Sequence, residues 1–220
     1  MDPAFWLDRW QRHDIGFHQA QVNADLQSYW PATGCPAAAP VLVPLCGKST
    51  DMCWLRAQGH PIVGVDLSAI AAEEVFAAQQ LVPRRSRAGE FESWEAQGFR
   101  ILVGDLFALD AAALTAVGAV AGVYDRAALV ALPPELRRRY ARHLARILPR
   151  PCTMLLLTME YPQEQMPGPP FSVPEAEVRE LYAPDFAVSQ LAAREVAVLE
   201  PRYLARGLKS RGDRVYLLKR

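Results

Sequence analysis

Three polar turns contain the residues of this 220-residue chain whose types and spacing could do chemistry. Each follows a short apolar run; they are residues 45–51 (LCGKSTD), Asp66 and residues 104–106 (GDL). Gly47 permits a tight turn and a close backbone approach to a ligand. Asp66, about twenty residues further on, is placed to accept hydrogen bonds from two ribose hydroxyls. Together the turns predict a nucleoside site, although Asp66 alone is equally consistent with a helix N-cap.

The phosphate-binding alternatives fit the first turn poorly. A P-loop requires G-x-x-x-x-G-K-[ST], and the position of its first glycine is Leu42, inside the apolar run. The dinucleotide fingerprint G-x-G-x-x-G is absent as well, because Gly47 is the only glycine of the turn. A nucleoside ligand without phosphates, such as S-adenosylmethionine (SAM), is therefore favoured.

Alternating strand and helix patterns must position these turns. Buried strands are predicted at residues 41–45, 61–66, 99–103, 117–124 and 152–159, with helices at 49–58, 69–80 and 134–148. Antiparallel strands are expected at 186–191, 194–199 and 214–218. The alternation predicts an α/β, Rossmann-like fold whose mostly parallel seven-stranded sheet has helices on both faces. In such sheets ligands bind beyond the carboxyl ends of the strands.

The remaining segments suggest how such a site is covered. Residues 1–30 have helical spacing and are expected to form an N-terminal helical cap over the site. The proline-rich residues 161–174 are expected to be a loop lying over it. Residues 83–87 are predicted to be a loop, and 137–139 the solvated face of a helix. At this length one domain, residues 1–220, is expected.

Composition excludes several classes of partner. Lys plus Arg and Asp plus Glu number 24 each, so no net field attracts nucleic acid or an anionic membrane surface. No stretch reaches the roughly 18 apolar residues of a membrane span. Four cysteines without a CxxC pair suit a reducing compartment, and the cytoplasm is predicted. Histidine and cysteine spacing does not match a metal site. A monomer acting on a small molecule, with no metal, is expected.

Several motifs, spread over almost the whole chain, resemble the thiopurine S-methyltransferase family. The matching residues are Trp6-x-x-x-Trp10, 16–19 (GFHQ) with Asn23, 43–49 (VPLCGKS), 63–68 (VGVDLS), 104–107 (GDLF), 124–129 (YDRAAL) and 168–174 (GPPFSVP). The combination of PLCGKS, DRAAL and GPPF is specific to this family. One departure is Asp66, which stands where many members have glutamate.

The resemblance implies a class I SAM-dependent methyltransferase that methylates the sulfur of a small heteroaromatic thiol and releases S-adenosylhomocysteine. Carried over by position, Trp10, Leu45, Asp66 and Arg126 contact the cofactor. Asp105 and Leu106 lie beside the adenine. The acceptor pocket is formed by Phe17, Arg126 and Arg202, with Arg126 as the catalytic group that favours the thiolate. Bacterial members are also associated with selenium and tellurium species, and the native acceptor stays open.

Simpler interpretations stand beside these assignments. Trp6 and Trp10 lie on one helical face, which is typical of core packing, although an aromatic face also attracts a sulfonium cation. Arg126 could simply pair with Asp125 or Asp105. His18 receives no catalytic role. A non-catalytic SAM-binding sensor, or a methyltransferase acting on another small molecule, is the alternative function.

Overall fold

The structure is a computed structural model that describes residues 3–16 and 18–220. Its described part contains one sheet of nine strands: β1 (Val41–Pro44), β2 (Ile62–Asp66), β3 (Arg84–Ala88), β4 (Phe91–Ala96), β5 (Phe99–Val103), β6 (Gly122–Arg126), β7 (Thr153–Glu160), β8 (Ala187–Ala197) and β9 (Ser210–Lys219). The α-helices are α1 (Pro3–Gln11), α2 (Ala24–Tyr29), α3 (Asp51–Ala57), α4 (Ala69–Ala78), α5 (Ala111–Ala116), α6 (Pro134–Ile147), α7 (Glu175–Tyr182) and α8 (Pro201–Leu204).

The centre of the sheet is parallel and both edges are antiparallel. The strand order is β3-β4-β5-β2-β1-β6-β7-β9-β8, and the five strands from β5 to β7 pair in parallel. Hairpin-like pairings of β3 and β4 on one side, and of β8 and β9 on the other, extend this centre. The α/β, Rossmann-like prediction is confirmed, but the predicted count of seven strands is wrong.

The β3–β4 hairpin is the part of the sheet that the sequence pattern did not predict. All five residues of β3 are exposed, so this edge strand lacks the apolar alternation by which a strand is recognised. The Arg85 guanidinium lies 3.5 Å from the centre of the Trp94 ring on β4. Residues 83–87, predicted as a loop, therefore belong largely to a strand, and its arginines discourage edge-to-edge pairing with another chain.

The strands of the parallel centre are buried on both faces. Leu42 belongs to one apolar cluster, with α6 and α7, whereas its neighbours Val41 and Val43 belong to another, with α3 and α4. This division follows from the period of two along a strand. On α6, the residues Tyr140, Leu144 and Ile147 recur at spacings of three and four and face the first cluster.

Four further predictions need correction. The N-terminal cap is not continuously helical, because the described residues between α1 and α2, 12–16 and 18–23, are not in a helix. Residues 117–121 precede β6 rather than form its first half, and residues 186–199 contain one long strand instead of two. Arg137 is not on a solvated face: its side chain is buried and donates to the Ser172 carbonyl at 2.8 Å.

In the described part of the chain no helix combines the length and apolar composition needed to cross a bilayer. The four cysteines are free thiols.

Candidate active site

A cavity of about 340 Å³ lies at the carboxyl ends of the central parallel strands. Leu45, Asp66 and Arg126, which end or directly follow β1, β2 and β6, line it together with residues 157–159 of β7. The chain leaves β1 toward β2 and later returns to the other side of β1 as β6, so the cavity occupies the switch point of the sheet. Its volume suits a ligand of nucleoside size.

Asp66 presents a nearly buried carboxylate to this cavity. One oxygen accepts a hydrogen bond from the Gly47 N–H at 2.8 Å, and the other accepts one from the Ser68 N–H at 2.9 Å. Burial raises the pKa of the Asp66 carboxyl, while these backbone bonds oppose the rise. Because a carboxylate has about four acceptor positions, Asp66 retains capacity for hydroxyl groups in the cavity. The N-cap of α4 is Ser68, whose hydroxyl accepts from the Ala71 N–H.

Unusual backbone conformations surround the carboxyl ends of β1 and β6. Leu45, Gly47 and Ala127 have φ angles of 45°, 50° and 71°. Glycine adopts this left-handed region freely, whereas each L-residue there costs about 1 kcal/mol or more. Leu45 and Ala127 both line the cavity. Strain stored at two cavity-lining positions is typical of a functional site.

Arg126 lines the cavity from β6, and hydrogen bonds to Asp51 and Ser49 hold its guanidinium. Its Nε donates to an oxygen of Asp51 at 2.9 Å, and its Nη2 lies 3.4 Å from the Ser49 hydroxyl. The same Asp51 oxygen accepts a hydrogen bond from the Tyr124 hydroxyl at 2.9 Å. The suggested pairing of Arg126 with Asp125 or Asp105 is therefore wrong. Asp125 instead accepts from Tyr140 and from a backbone N–H in the core.

The N-terminal segment forms an aromatic and polar wall. Trp6 and Trp10 of α1 line the cavity, and Trp10 is 3 % exposed. Gln19 and Asn23 continue this wall. Asn23 also caps α2 with its side chain, which accepts from the N–H groups of Asp25 and Leu26. The segment is anchored to the turn after β1 because the Thr50 hydroxyl donates to the Gln19 carbonyl at 3.2 Å.

The opposite wall comes from α8 and the residue 168–170 loop. The Arg202 guanidinium donates to the Tyr203 hydroxyl at 2.9 Å and lies 4.5 Å from the centre of that ring. Its Nη1 lies 2.7 Å from the point where a Cβ on Gly16 would stand, so a larger residue at position 16 would displace it. Arg206 donates to the carbonyls of Gly168 and Pro169 at 3.0 and 3.2 Å.

Most of the cations on the cavity wall are already neutralised. Arg9 pairs with Asp14 at 3.1 Å, and Arg211 pairs with Glu200 and Asp213 at 2.9 and 2.8 Å. Arg202, by contrast, has no carboxylate partner among residues 3–16 and 18–220. Arg206, which donates only to the two loop carbonyls, lacks one as well. The acceptor side of the cavity therefore has two cations whose charges the described carboxylates leave uncompensated.

The structure brings together most of the predicted site residues. Trp10, Leu45, Asp66, Arg126 and Arg202 all line the cavity. Asp105 and Leu106 do not: Asp105 is exposed and accepts from the Phe107 N–H at 2.9 Å, while the Leu106 side chain packs in the core. Both follow β5, whose last residue pairs with Asp66. Phe17 lies outside the described residues.

Sequence reasoning missed Asp51 and Tyr124, which hold Arg126. Asp51 is the last residue of the LCGKSTD turn, and nothing in its spacing distinguishes it from an ordinary first-turn carboxylate. Within the described ranges no group of three or more His, Cys, Asp and Glu side chains could hold a metal ion. Burial raises the pKa of the Cys46 thiol well above its ordinary value, which suits a packing residue rather than a nucleophile.

Comparison with solved structures identifies the fold. The chain is similar to magnesium protoporphyrin IX methyltransferase from Synechocystis PCC 6803 with bound S-adenosylhomocysteine, at a TM-score of 0.64 and 17 % identity, covering 100 % of both chains. It is also similar to the 1,6-didemethyltoxoflavin-N1-methyltransferase of Burkholderia thailandensis, at a TM-score of 0.60 and 16 % identity, covering 99 % of this chain and 86 % of the other. The fold is that of the α/β methyltransferases.

Sequence comparison then identifies the family. The family model for thiopurine S-methyltransferase matches residues 1–220. Proteins named thiopurine S-methyltransferase from Pseudomonas entomophila and Azotobacter vinelandii are 47 % and 46 % identical over 220 residues, covering 100 % of each chain. The chain belongs to the thiopurine S-methyltransferase family and is a SAM-dependent S-methyltransferase.

Proposed function

We propose that this enzyme methylates the sulfur of a small heteroaromatic thiol, with the cofactor held by Trp10, Leu45, Asp66 and Arg126. The observation that carries the proposal is the placement of Asp66. A nearly buried carboxylate at the carboxyl end of β2 faces a cavity that also contains an aromatic wall and the Arg126 cation. A nucleoside with a charged sulfur substituent needs this combination of groups.

The residues present fit SAM on their chemistry. Asp66 keeps acceptor capacity for ribose hydroxyls after binding the Gly47 and Ser68 N–H groups. Trp6 and Trp10 offer aromatic surface, which attracts a sulfonium cation. Asp105 and Leu106 are proposed to bound the adenine end through the turn that follows β5, because that turn is next to Asp66 although the cavity wall does not include it.

Arg126 is proposed as the catalytic group and Arg202 as its partner on the acceptor side, with Phe17 contributing an aromatic surface. When bound, SAM supplies a methyl carbon activated by its positively charged sulfur. A thiol ionises near pH 8.5 in water, and a heteroaromatic thiol ionises more easily, so a nearby guanidinium suffices to favour the thiolate. The N-terminal wall and the Pro169–Pro170 loop border the cavity, and displacement of water between them by the bound reactants would strengthen that electrostatic contact.

Several finer points belong to the same proposal. Four properties stay predictions: one domain of residues 1–220, a monomer, a cytoplasmic location and the absence of nucleic-acid or membrane partners. Methylation of selenium or tellurium species is an additional activity to be tested. Its chemical basis is that selenols and tellurols are nucleophiles of the same kind as thiols.

The test is calorimetric titration of the full chain with S-adenosylhomocysteine, followed by methyl transfer from labelled SAM to thiols, thiopurines and a selenol. Binding with turnover of a heteroaromatic thiol is expected. Binding without turnover of any acceptor would favour the non-catalytic sensor. A lack of binding would refute the cofactor site itself.

A further inference from the structure

Asp51 is a fully buried carboxylate that joins three separate parts of the fold. One oxygen accepts from the backbone N–H of Asn23, at the start of α2, at 2.8 Å. The other accepts from the Tyr124 hydroxyl and the Arg126 Nε, both on β6 and both at 2.9 Å. The carboxylate thus links the N-terminal wall of the cavity to the strand that carries Arg126.

Helix stabilisation alone does not explain this arrangement. Asp51 begins α3, where an acidic residue interacts favourably with the helix dipole. An exposed carboxylate would provide that interaction without the cost of removing a charge from water. In this protein the two oxygens accept hydrogen bonds from the start of α2 and from β6, not from the first turn of α3.

The contact with Asp51 decides which part of the Arg126 guanidinium is available to a ligand. Nε is occupied by Asp51, and Nη2 has a long contact of 3.4 Å with the Ser49 hydroxyl. Neither of these two contacts involves Nη1, and Arg126 lines the cavity. Anchoring at Nε therefore leaves the far end of the guanidinium free to meet an acceptor.

We propose that Asp51 is a positioning residue for methyl transfer: it orients Arg126 toward the acceptor and couples that orientation to the docking of the N-terminal segment through Asn23. This inference rests on the proposed function of Arg126. Asp51 itself does not line the cavity, so its effect on the reaction passes through Arg126.

Asp51→Asn is a sharp perturbation because the two oxygens have different donors. If the amide oxygen faces Tyr124 and Arg126, the amide NH2 points at the Asn23 N–H. If the amide flips, its NH2 points at the Arg126 Nε–H. Both orientations place a donor against a donor and replace a charged acceptor by a neutral one, although the side chain keeps its size and shape.

The experiment is a double-mutant cycle with Asp51→Asn and Arg126→Gln, followed through kcat for a thiol and Kd for S-adenosylhomocysteine. Misplacing a group that orients reactants by about 1 Å can reduce the rate by about 10²-fold, so Asp51→Asn is expected to lower kcat at least about tenfold. The Kd should rise by a clearly smaller factor than kcat falls, because the Asp66 carboxylate stays in place even where Arg126 and the N-terminal segment shift. In the Arg126→Gln background the same change should alter kcat by less than about twofold.

Asp110→Asn is the matched control, because Asp110 caps α5 by accepting from the Ala113 N–H at 2.7 Å and lies outside the cavity wall. Asparagine is an equally good N-cap, so kcat should be unchanged. If Asp51→Asn does not fold, Asp51→Glu replaces it with the same expectations, since the longer side chain retains the charge but displaces the guanidinium.

Equal losses of kcat with and without Arg126 would overturn the proposal, as would a parallel loss of cofactor affinity. An unchanged kcat in Asp51→Asn would do the same. These results differ from failure of the proposed function, in which the unmodified enzyme itself would not bind S-adenosylhomocysteine or methylate a thiol.

Discussion

Replacing Asp66 by alanine removes the carboxylate proposed to hold the ribose of the cofactor. A hydrogen bond to a charged group contributes about 1.5–3 kcal/mol, and each 1.4 kcal/mol changes Kd tenfold. Losing two ribose contacts would therefore raise the Kd for the cofactor roughly 10²- to 10⁴-fold. Burial raises the pKa of this carboxyl, so the ligand-free protein already bears a cost for the charge. Relieving that cost moves the expectation to the lower part of the range, about 10²-fold.

Calorimetric titration with S-adenosylhomocysteine measures this change directly. Asp66→Glu is the matched control, because it keeps the carboxylate and should bind within about tenfold of the unmodified enzyme. Alanine also frees the Gly47 and Ser68 N–H groups, so thermal unfolding without ligand is needed to verify an intact fold. A folded Asp66→Ala variant with unchanged Kd would remove Asp66 from the ribose site.

Three other perturbations test separate parts of the structure. Arg126→Gln should lower kcat/KM for thiols by about 10²-fold through loss of the cation, as steady-state assays would show, and equal turnover would contradict its role. Burial raises the pKa of Asp125 to about 6, although the Tyr140 hydroxyl donates to this carboxyl. Asp125 therefore contributes fully to the free energy of unfolding below the ordinary pKa of an aspartate, and this contribution is lost as the pH rises through about 6. Urea unfolding should therefore show the unmodified protein losing about 2 kcal/mol more than Asp125→Asn between pH 4 and 7, and parallel pH profiles would refute this. Arg206→Ala removes two bonds to the carbonyls of residues 168 and 169 and should raise KM for the thiol severalfold with cofactor Kd unchanged; an unchanged KM would separate this loop from acceptor binding.

The central strands, and the residues at their carboxyl ends, could be predicted because the sequence patterns that indicate them are local. Runs such as residues 41–44 and 62–66 are apolar since a parallel strand is buried on both faces. Each run ends in a polar turn, and parallel strands bring such turns to one edge of a sheet. Leu45, Asp66 and Arg126 were therefore expected to meet, and the structure places all three on one cavity.

The edges of the sheet could not be predicted in the same way. β3 is a strand because its backbone pairs with β4, while its side chains are solvated and carry no periodic signal. Arg137 illustrates the converse: within a run of three arginines it alone is buried, because the Ser172 carbonyl and Glu177 on other segments meet its guanidinium. Such contacts depend on segments that are distant in the chain.

By itself the sequence determined the alternating α/β plan, the polar turns at the strand ends and, through its motifs, the family. These properties are encoded in local composition, spacing and residue identity. The tertiary structure alone decided which groups face one another. Arg126 pairs with Asp51 rather than with its neighbour Asp125, and the backbone N–H of Asn23 donates to the other oxygen of the Asp51 carboxylate. The physical reason is that a buried charge takes the nearest donors in space, and the packing of α2, α3 and β6 sets which donors those are.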